Sequence, residues 1–311
     1  MTPLTTSKLA LLGGPKSVLA DQGDLFSWPI VTEEDEQAVL DVLRRGAMSN
    51  HEITVEFEKD VRQWFDVPHA LAYCNGTASI LGAMFGCGIG KGDEVIVPAH
   101  TYWASVLPVL TLRAVPIFAD SDPVSLCIDP ADIARKITPR TRAILVVHLF
   151  GHPCDMDPIL DLAAKHDIKV IEDVSHAQGG HYKGKLLGTL GDAGAFSMMA
   201  GKSLVAGEGG MLITRDRNIY HRALAYGFYV RFPGEASDVD PELLQYQGLP
   251  LGGFKHRINQ TCSAMGRVQL KHYSERIAEI QRAMNHFWDL LEGAPGLRAH
   301  RTCEPGSDMG G

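Results

Sequence analysis

The chain has 311 residues, of which 45% are hydrophobic and 21% charged, as is ordinary for a soluble globular protein able to bury a sizeable core. Its formal net charge of −8 argues against a general nucleic-acid binder. No apolar run approaches the roughly 20 residues that span a bilayer, and the N-terminus lacks the basic and apolar regions of a secretory signal peptide. We therefore expect a cytoplasmic protein.

Six cysteines are spread along the chain without CxxC spacing: Cys74, Cys87, Cys127, Cys154, Cys262 and Cys303. Disulfide frameworks and zinc sites use closely and regularly spaced cysteines. The spacing here predicts reduced thiols and no metal centre.

Two helices are predicted to introduce the main domain. Thr32 and Asp35 have the spacing of a capping box at the start of the first, and Gly46 is a plausible end. The second covers residues 53–65 and is followed by Pro68, which cannot continue a helix.

From Ala70 onward, short apolar runs alternate with amphipathic segments. The predicted strands are 70–73, 94–97, 115–119, 143–148, 168–171, 195–198 and 211–214. The predicted helices between them are 78–88, 103–112, 130–137, 156–166 and 216–225. This alternation favours a mostly parallel sheet covered by helices, with ligands at the carboxyl ends of the strands. Four polar residues lie at or just past those ends: Asp120, His148, Asp173 and Ser197.

The pattern changes after Tyr226. Residues 231–253 are rich in Pro, Gly and acids and predict a loop or linker. Residues 262–291 predict one long amphipathic helix with six core candidates: Val268, Leu270, Ile277, Ile280, Phe287 and Leu290. We divide the chain into a large α/β domain, residues 1–235, and a segment 236–311 that holds the linker and the start of a smaller domain.

The acidic pair Glu172-Asp173 and a single lysine carry the chemistry of the sequence. The pair follows a buried strand, and Lys202 is the one charged residue between Ala193 and Gly207. An ammonium group in apolar surroundings is unfavourable unless its pKa falls or it has reacted. A Schiff base with the aldehyde of pyridoxal phosphate (PLP) would account for Lys202, and a carboxylate would hold the ring nitrogen protonated. The alternatives are a lysine that extends to the surface and an aspartate that caps a helix.

The residues Asn75-Gly76-Thr77-Ala78 join a strand to a helix and can supply backbone N–H donors and a hydroxyl to a phosphate group. Gly76 permits close approach of the backbone. A plain turn is the alternative for this segment.

The run from Asp173 through Ser197 and Lys202 to residues 208–210 resembles the DegT/DnrJ/EryC1/StrS family of PLP-dependent sugar aminotransferases. The resemblance extends from about Gly13 to the end of the chain. It is closest to the branch with aminohydroxybenzoate synthases and cyclitol aminotransferases. It implies the fold of type I PLP enzymes, a mostly parallel sheet with a smaller C-terminal domain. Since members usually continue further, that domain is expected to be incomplete here.

The resemblance also implies the roles of individual residues. Lys202 would carry the cofactor and Asp173 would pair with its ring nitrogen. His176 would lie near the ring hydroxyl, and Ser197 would join Gly76, Thr77 and Ala78 at the phosphate. Tyr102 would stack on the ring, with Trp103 as the alternative. Arg257 would approach the active site of a neighbouring subunit, where it could bind a donor carboxylate. Lys255 stands where many members have Asn, which weakens a nucleotide-sugar assignment. A surface salt bridge is the alternative for both residues.

The activity that the resemblance implies is ping-pong transfer of an amino group from glutamate or glutamine to a keto-sugar or keto-cyclitol, by a homodimer with shared active sites. Two alternatives stay open: the dehydration and aromatization run by aminohydroxybenzoate synthases, and a catalytically inactive regulator on the same fold. A third, the 3-dehydratase type, replaces the cofactor lysine with histidine, and Lys202 argues against it.

Overall fold

The computed structural model describes residues 8–16, 18–20, 23, 27–228, 231, 239, 241–245, 249, 251 and 254–311. The chain forms two compact units, Met1–Ile30 and Val31–Gly311. In the first unit, Ala10–Leu12 form a short 3-10 helix and the Trp28–Pro29 peptide bond is cis. The predicted domain boundary at residue 235 lies outside the described residues and stays a prediction.

The second unit is built on one sheet. Its strands are β1 (His69–Tyr73), β2 (Glu94–Pro98), β3 (Val115–Ala119), β4 (Thr141–Val147), β5 (Lys169–Asp173), β8 (Ala193–Ser197) and β9 (Gly210–Thr214), and a separate hairpin pairs β6 (His181–Tyr182) with β7 (Lys185–Leu186). Within the described residues the seven strands have the order β1-β9-β8-β5-β4-β2-β3. The pairs from β8 through β3 are parallel, whereas β9 is antiparallel to both neighbours. The predicted mostly parallel sheet is confirmed.

Helices cover both faces of this sheet. They are α1 (Glu33–Arg44), α2 (Glu52–Phe65), α3 (Gly76–Gly86), α4 (Leu107–Thr111), α5 (Pro130–Lys136), α6 (Met156–His166), α7 (Arg217–Gly227), α8 (Pro241–Leu244), α9 (Gln260–Lys271) and α10 (Tyr273–Leu290). The predicted capping box at α1 is present, since Thr32 Oγ1 accepts from Asp35 N and Asp35 Oδ2 accepts from Thr32 N. None of the described helices is long and apolar enough to cross a bilayer.

The single helix predicted over residues 262–291 is wrong. The chain bends at His272, with φ −99° and ψ 4°, and continues as α10. The bend turns Tyr273 into the core, where its ring is fully buried. The predicted burial of Phe287 and Leu290 is also wrong within this chain, because their exposed fractions are 54% and 72%.

The core has two parts, one on each face of the sheet. Alternate side chains of β4 supply both, with Ile144 and Val146 on one face and Ala143 and Leu145 on the other. Helices α2, α6 and α10 pack on the first face, and α3 and α7 on the second. This three-layer arrangement leaves the carboxyl ends of the parallel strands open to ligands.

Candidate active site

A hollow of about 380 Å³ lies where the carboxyl ends of β5 and β8 meet the N-terminus of α3. Seven residues predicted from the sequence line it: Gly76, Thr77, Tyr102, Asp173, His176, Ser197 and Lys202. The fold thus brings together residues that are up to 126 positions apart in the sequence.

Asp173 lies at the end of β5 with only 4% of its surface exposed. Ser105 Oγ donates to Asp173 Oδ2 at 2.7 Å, and the Ser175 backbone N–H donates to Oδ1 at 3.0 Å. These two bonds fix the plane of the carboxylate. The carboxylate is therefore held in one orientation, and its remaining lone pairs can accept hydrogen bonds from a ligand in the hollow.

Glu172, its neighbour, has a different task because successive side chains of a strand point to opposite faces. Its carboxylate accepts from the backbone N–H groups of Gly188, Leu190 and Gly191 and lies 3.0 Å from His148 Nε2. The Cys154 N–H donates to His148 Nδ1, so Nε2 carries the proton and donates to Glu172. Glu172 therefore closes the turn between β7 and β8.

Two of the four polar residues at the strand ends do not reach the hollow. His148 is fully buried and its ring is engaged with Glu172 and Cys154. Asp120 lies outside the residues that line the hollow, and its backbone N–H donates to Asp132. Position at a strand end predicted the right edge of the sheet but not which side chains line the hollow.

Lys202 lies on a turn, where its backbone N–H donates to Met199 O at 2.9 Å. Burial lowers the pKa of the Lys202 amine below its ordinary value, and the Asp173 carboxylate acts against that shift. At a given pH, a larger fraction of Lys202 is therefore the neutral amine than would be the case on the protein surface.

His176 lies beside Lys202 in the hollow, and the Phe150 ring stacks on it with centroids 5.7 Å apart. Burial lowers the pKa of His176, and the charge of Lys202 lowers it further. Its Nδ1 atom is buried and has no hydrogen-bond partner among the described residues. A ligand atom in the hollow could supply that partner.

The N-terminus of α3 faces Ser197. Asn75 Oδ1 caps the helix by accepting from the Ala78 N–H at 2.9 Å, so Ala78 is engaged and does not line the hollow. Gly76 and Thr77 hold the first N–H groups of the helix, which have no partner within a helix. Gly76 packs so closely on β8 that an added Cβ would lie 2.6 Å from Ser197 Cβ. The turn and Ser197 lie on one edge of the hollow, where N–H groups and a hydroxyl could meet an anion.

Tyr102 and Trp103 are both 58% exposed, with ring centroids 5.0 Å apart. Tyr102 lines the hollow, and Trp103 is outside its lining. Arg257 and Lys255 also lie outside it. The backbone of Arg257 forms an isolated antiparallel β-bridge with Tyr73 at the end of β1. Lys255 is exposed.

Ser105, Ser175 and Gln178 form hydrogen bonds around the hollow that the sequence did not predict. Ser175 had a local signal, since a residue two positions after an aspartate commonly donates its N–H to that side chain. Ser105 and Gln178 had none, because their partners are 68 and 19 or more positions away.

The residues present fit PLP. A buried and oriented carboxylate, a lysine with a lowered pKa and a helix N-terminus beside a serine hydroxyl share one hollow. These are the groups that the ring nitrogen, the aldehyde and the phosphate of that cofactor require.

Known proteins resemble the chain over most of its length. GDP-perosamine synthase from Caulobacter vibrioides is 39% identical over 76% of this chain, which spans 61% of that relative's length. L-glutamine:scyllo-inosose aminotransferase from Streptomyces griseus is 38% identical, with 97% of this chain and 72% of the relative covered. The crystal structure of 3-amino-5-hydroxybenzoic acid synthase matches with a TM-score of 0.77 at 29% identity, covering 87% of this chain and 69% of the other.

The structural match confirms the α/β fold expected for type I PLP enzymes. The model of the DegT/DnrJ/EryC1/StrS aminotransferase family matches residues 29–308. The family predicted from the residues around Lys202 is therefore confirmed, and this chain belongs to the DegT/DnrJ/EryC1/StrS aminotransferase family.

Proposed function

We propose that the chain is a PLP-dependent aminotransferase that moves an amino group from glutamate or glutamine to a ketone of a sugar or cyclitol. The observation that supports this most is the meeting of Lys202, Asp173, Thr77 and Ser197 in one hollow. Family membership and the sugar and cyclitol relatives support the same reaction.

PLP, when bound, supplies an aldehyde that reacts with amines and a ring that withdraws electrons from the adjacent carbon. Asp173 would accept a hydrogen bond from the ring nitrogen and hold a proton on it. Ser105 Oγ and the Ser175 N–H hold the carboxylate in place by donating to its two oxygens.

Lys202 would hold the cofactor and then move a proton through its Nζ atom between the substrate carbon and the cofactor. Both tasks need a neutral amine for part of the cycle. The half-buried position, which lowers the pKa of Lys202, increases the neutral fraction near pH 7.

The phosphate would be held by Gly76 and Thr77 at the N-terminus of α3, together with the Ser197 hydroxyl. Aligned peptide dipoles favour an anion at a helix N-terminus. Tyr102 would cover one face of the ring, and His176 would donate to or accept from a polar atom on its edge. These roles, and those of Arg257 and Lys255 toward a substrate from a neighbouring subunit, are proposals.

Aminohydroxybenzoate synthesis is a second candidate, favoured by the likeness to the synthase structure. The homodimer and the cytoplasmic location expected from the sequence stay predictions.

Addition of L-glutamine or L-glutamate to protein loaded with PLP tests the function. The visible band of the wild type and of the surface control Lys91→Ala should fall, whereas Lys202→Ala should show no such change. Mass spectrometry after addition of keto-sugars or keto-cyclitols should detect an amine product. An aromatic product would favour the second candidate, and a protein that binds no PLP would favour the inactive regulator.

A further inference from the structure

Gln178 lies directly beneath the loop that carries Lys202 and is fully buried. Its Nε2 donates to Ser197 O at 2.7 Å, where the loop begins. Its Oε1 accepts from Leu204 N at 3.0 Å, where the loop ends. One carboxamide therefore joins the two ends of the segment that presents the lysine.

The orientation of this carboxamide follows from its partners. Ser197 offers a carbonyl and Leu204 an N–H, so the amide cannot turn over without facing donor to donor and acceptor to acceptor. Ser203 Oγ lies 2.9 Å from Gln178 Oε1 and is also within hydrogen-bond distance of Tyr273 Oη and Gly311 O. The residue next to Lys202 thus takes part in the same network.

Helix α10 holds the turn that carries Gln178. Tyr273 Oη donates to Gln178 O at 3.0 Å and lies 2.7 Å from Ser203 Oγ. Burial raises the pKa of Tyr273, which keeps it a donor. Gly179 has φ +74°, and a Cβ there would lie 2.8 Å from Ile277 Cγ1. The turn is pinned between α10 and the loop.

Backbone bonds also hold the loop, and one of them joins its two ends. Ala206 N donates to Met198 O at 2.8 Å, just outside the two residues that Gln178 links, and Met198 N donates to Gly209 O at 2.8 Å, next to the start of β9. The turn at Lys202 is closed by its own bond to Met199 O. The carboxamide of Gln178 adds a side-chain link between Ser197 and Leu204, inside this backbone bond and nearer to Lys202.

We propose that Gln178 is a positioning residue for Lys202, whose carboxamide fixes the loop so that the amine stays half-buried in the hollow. The inference rests on the proposed function for the role of that amine. A looser loop would let water reach the amine and reduce the effect of burial on its pKa.

Gln178→Met tests this, with Gln260→Met as the matched control. Gln260 is also fully buried, and its carboxamide also bridges backbone groups, donating to Ala47 O and accepting from Ile53 N at 2.6 Å each. It lies outside the residues that line the hollow. Both substitutions remove the same kinds of hydrogen bond, and both should lower the unfolding temperature.

The first readout uses protein free of PLP. Lys202 is acetylated with acetic anhydride across a pH series and its modification is followed by peptide mass spectrometry. Asp173, His176 and Glu208, the acidic and imidazole groups that share the hollow, are unchanged in every variant. The second readout is the dissociation constant of PLP.

In Gln178→Met, the midpoint of Lys202 acetylation should move to higher pH, and PLP should bind about tenfold more weakly, as when hydrogen bonds behind a ligating residue are removed. Gln260→Met should match the wild type in both. Equal midpoints and equal affinities in the two variants would overturn the proposal.

Ser203→Ala is a milder variant for the case in which Gln178→Met does not fold. It keeps the glutamine and removes the Ser203 hydroxyl, which contacts Gln178 Oε1, Tyr273 Oη and Gly311 O. A smaller shift of the midpoint in the same direction is expected, and no shift would count against the proposal. If the wild type binds no PLP, the proposed function fails, while the acetylation midpoints still decide the role of Gln178.

Discussion

Replacing Gly76 with alanine should weaken PLP binding while leaving the protein folded. The added Cβ would lie 2.6 Å from Ser197 Cβ and 2.8 Å from Ser197 Cα, whereas ordinary contacts are 3.4–4 Å. Ser197 Cα is backbone and Ser197 Cβ is bonded directly to it, so α3 or β8 must move by roughly 1 Å, and a displacement of that size at a site costs about 100-fold in rate.

The expected magnitude follows from the strain and the displaced donors. Overpacking costs about 1–3 kcal/mol, and each 1.4 kcal/mol lost from binding is about tenfold in affinity. We expect the dissociation constant of PLP to rise by about 10- to 100-fold. The unfolding temperature of the PLP-free protein should fall by a few degrees, about 2–4 °C per kcal/mol.

The assay is a titration of PLP-free protein followed by visible absorbance, with thermal unfolding as the check on folding. Gly90→Ala is the matched control, because its added Cβ would meet only Asp93 Oδ2 at 4.0 Å. A Gly76→Ala protein with the affinity of the control would refute the placement of the phosphate between α3 and Ser197.

Three further changes test the surroundings of the site. Glu172→Gln should lower the free energy of unfolding, measured in urea, by about 2–5 kcal/mol. The Glu172 carboxylate accepts four hydrogen bonds, and the NH₂ group of a glutamine would face some of those donors. A loss below about 1 kcal/mol would contradict this reasoning. Ser105→Ala, which frees one oxygen of Asp173, should weaken PLP binding about tenfold with little change in unfolding temperature, and an unchanged affinity would argue against the positioning of the carboxylate. The Asp308 hydrogen bond raises the pKa of His181, so the stability from its protonation is complete below about pH 6.5 and is lost as the pH rises through the raised pKa. The stability difference between the wild type and His181→Gln should therefore be larger at pH 5.5 than at pH 9. Because the pair is partly exposed, the change in that difference should be less than about 1 kcal/mol. An equal difference at both pH values would contradict the assignment.

The sequence predicted the elements of the sheet because each strand carries its own local signal. Runs such as the one before Glu172 are short, apolar and bounded by polar residues, so strand type and strand end can be read together. Asp173 and Ser197 were placed at the site for this reason. Lys202 was recognisable because it is the one charge in a long uncharged segment.

What could not be predicted depends on contacts between distant parts of the chain. The stripe of apolar residues runs through both α9 and α10, so periodicity gives no sign of the bend at His272. The same stripe shows which face of α10 is apolar but not how much of it is covered, hence the wrong assignment of Phe287. Gln178 carries no local signal at all, because its role arises only when the loop folds over it.

The most direct measurement is the site of covalent attachment of PLP. The purified protein is incubated with PLP, reduced with borohydride and digested, and the modified peptide is identified by mass spectrometry. A phosphopyridoxyl group on Lys202 of the wild type, lost in Lys202→Ala and retained in Lys91→Ala, is the predicted result. Modification spread over surface lysines, or none at all, would contradict the assignment of this hollow as the cofactor site.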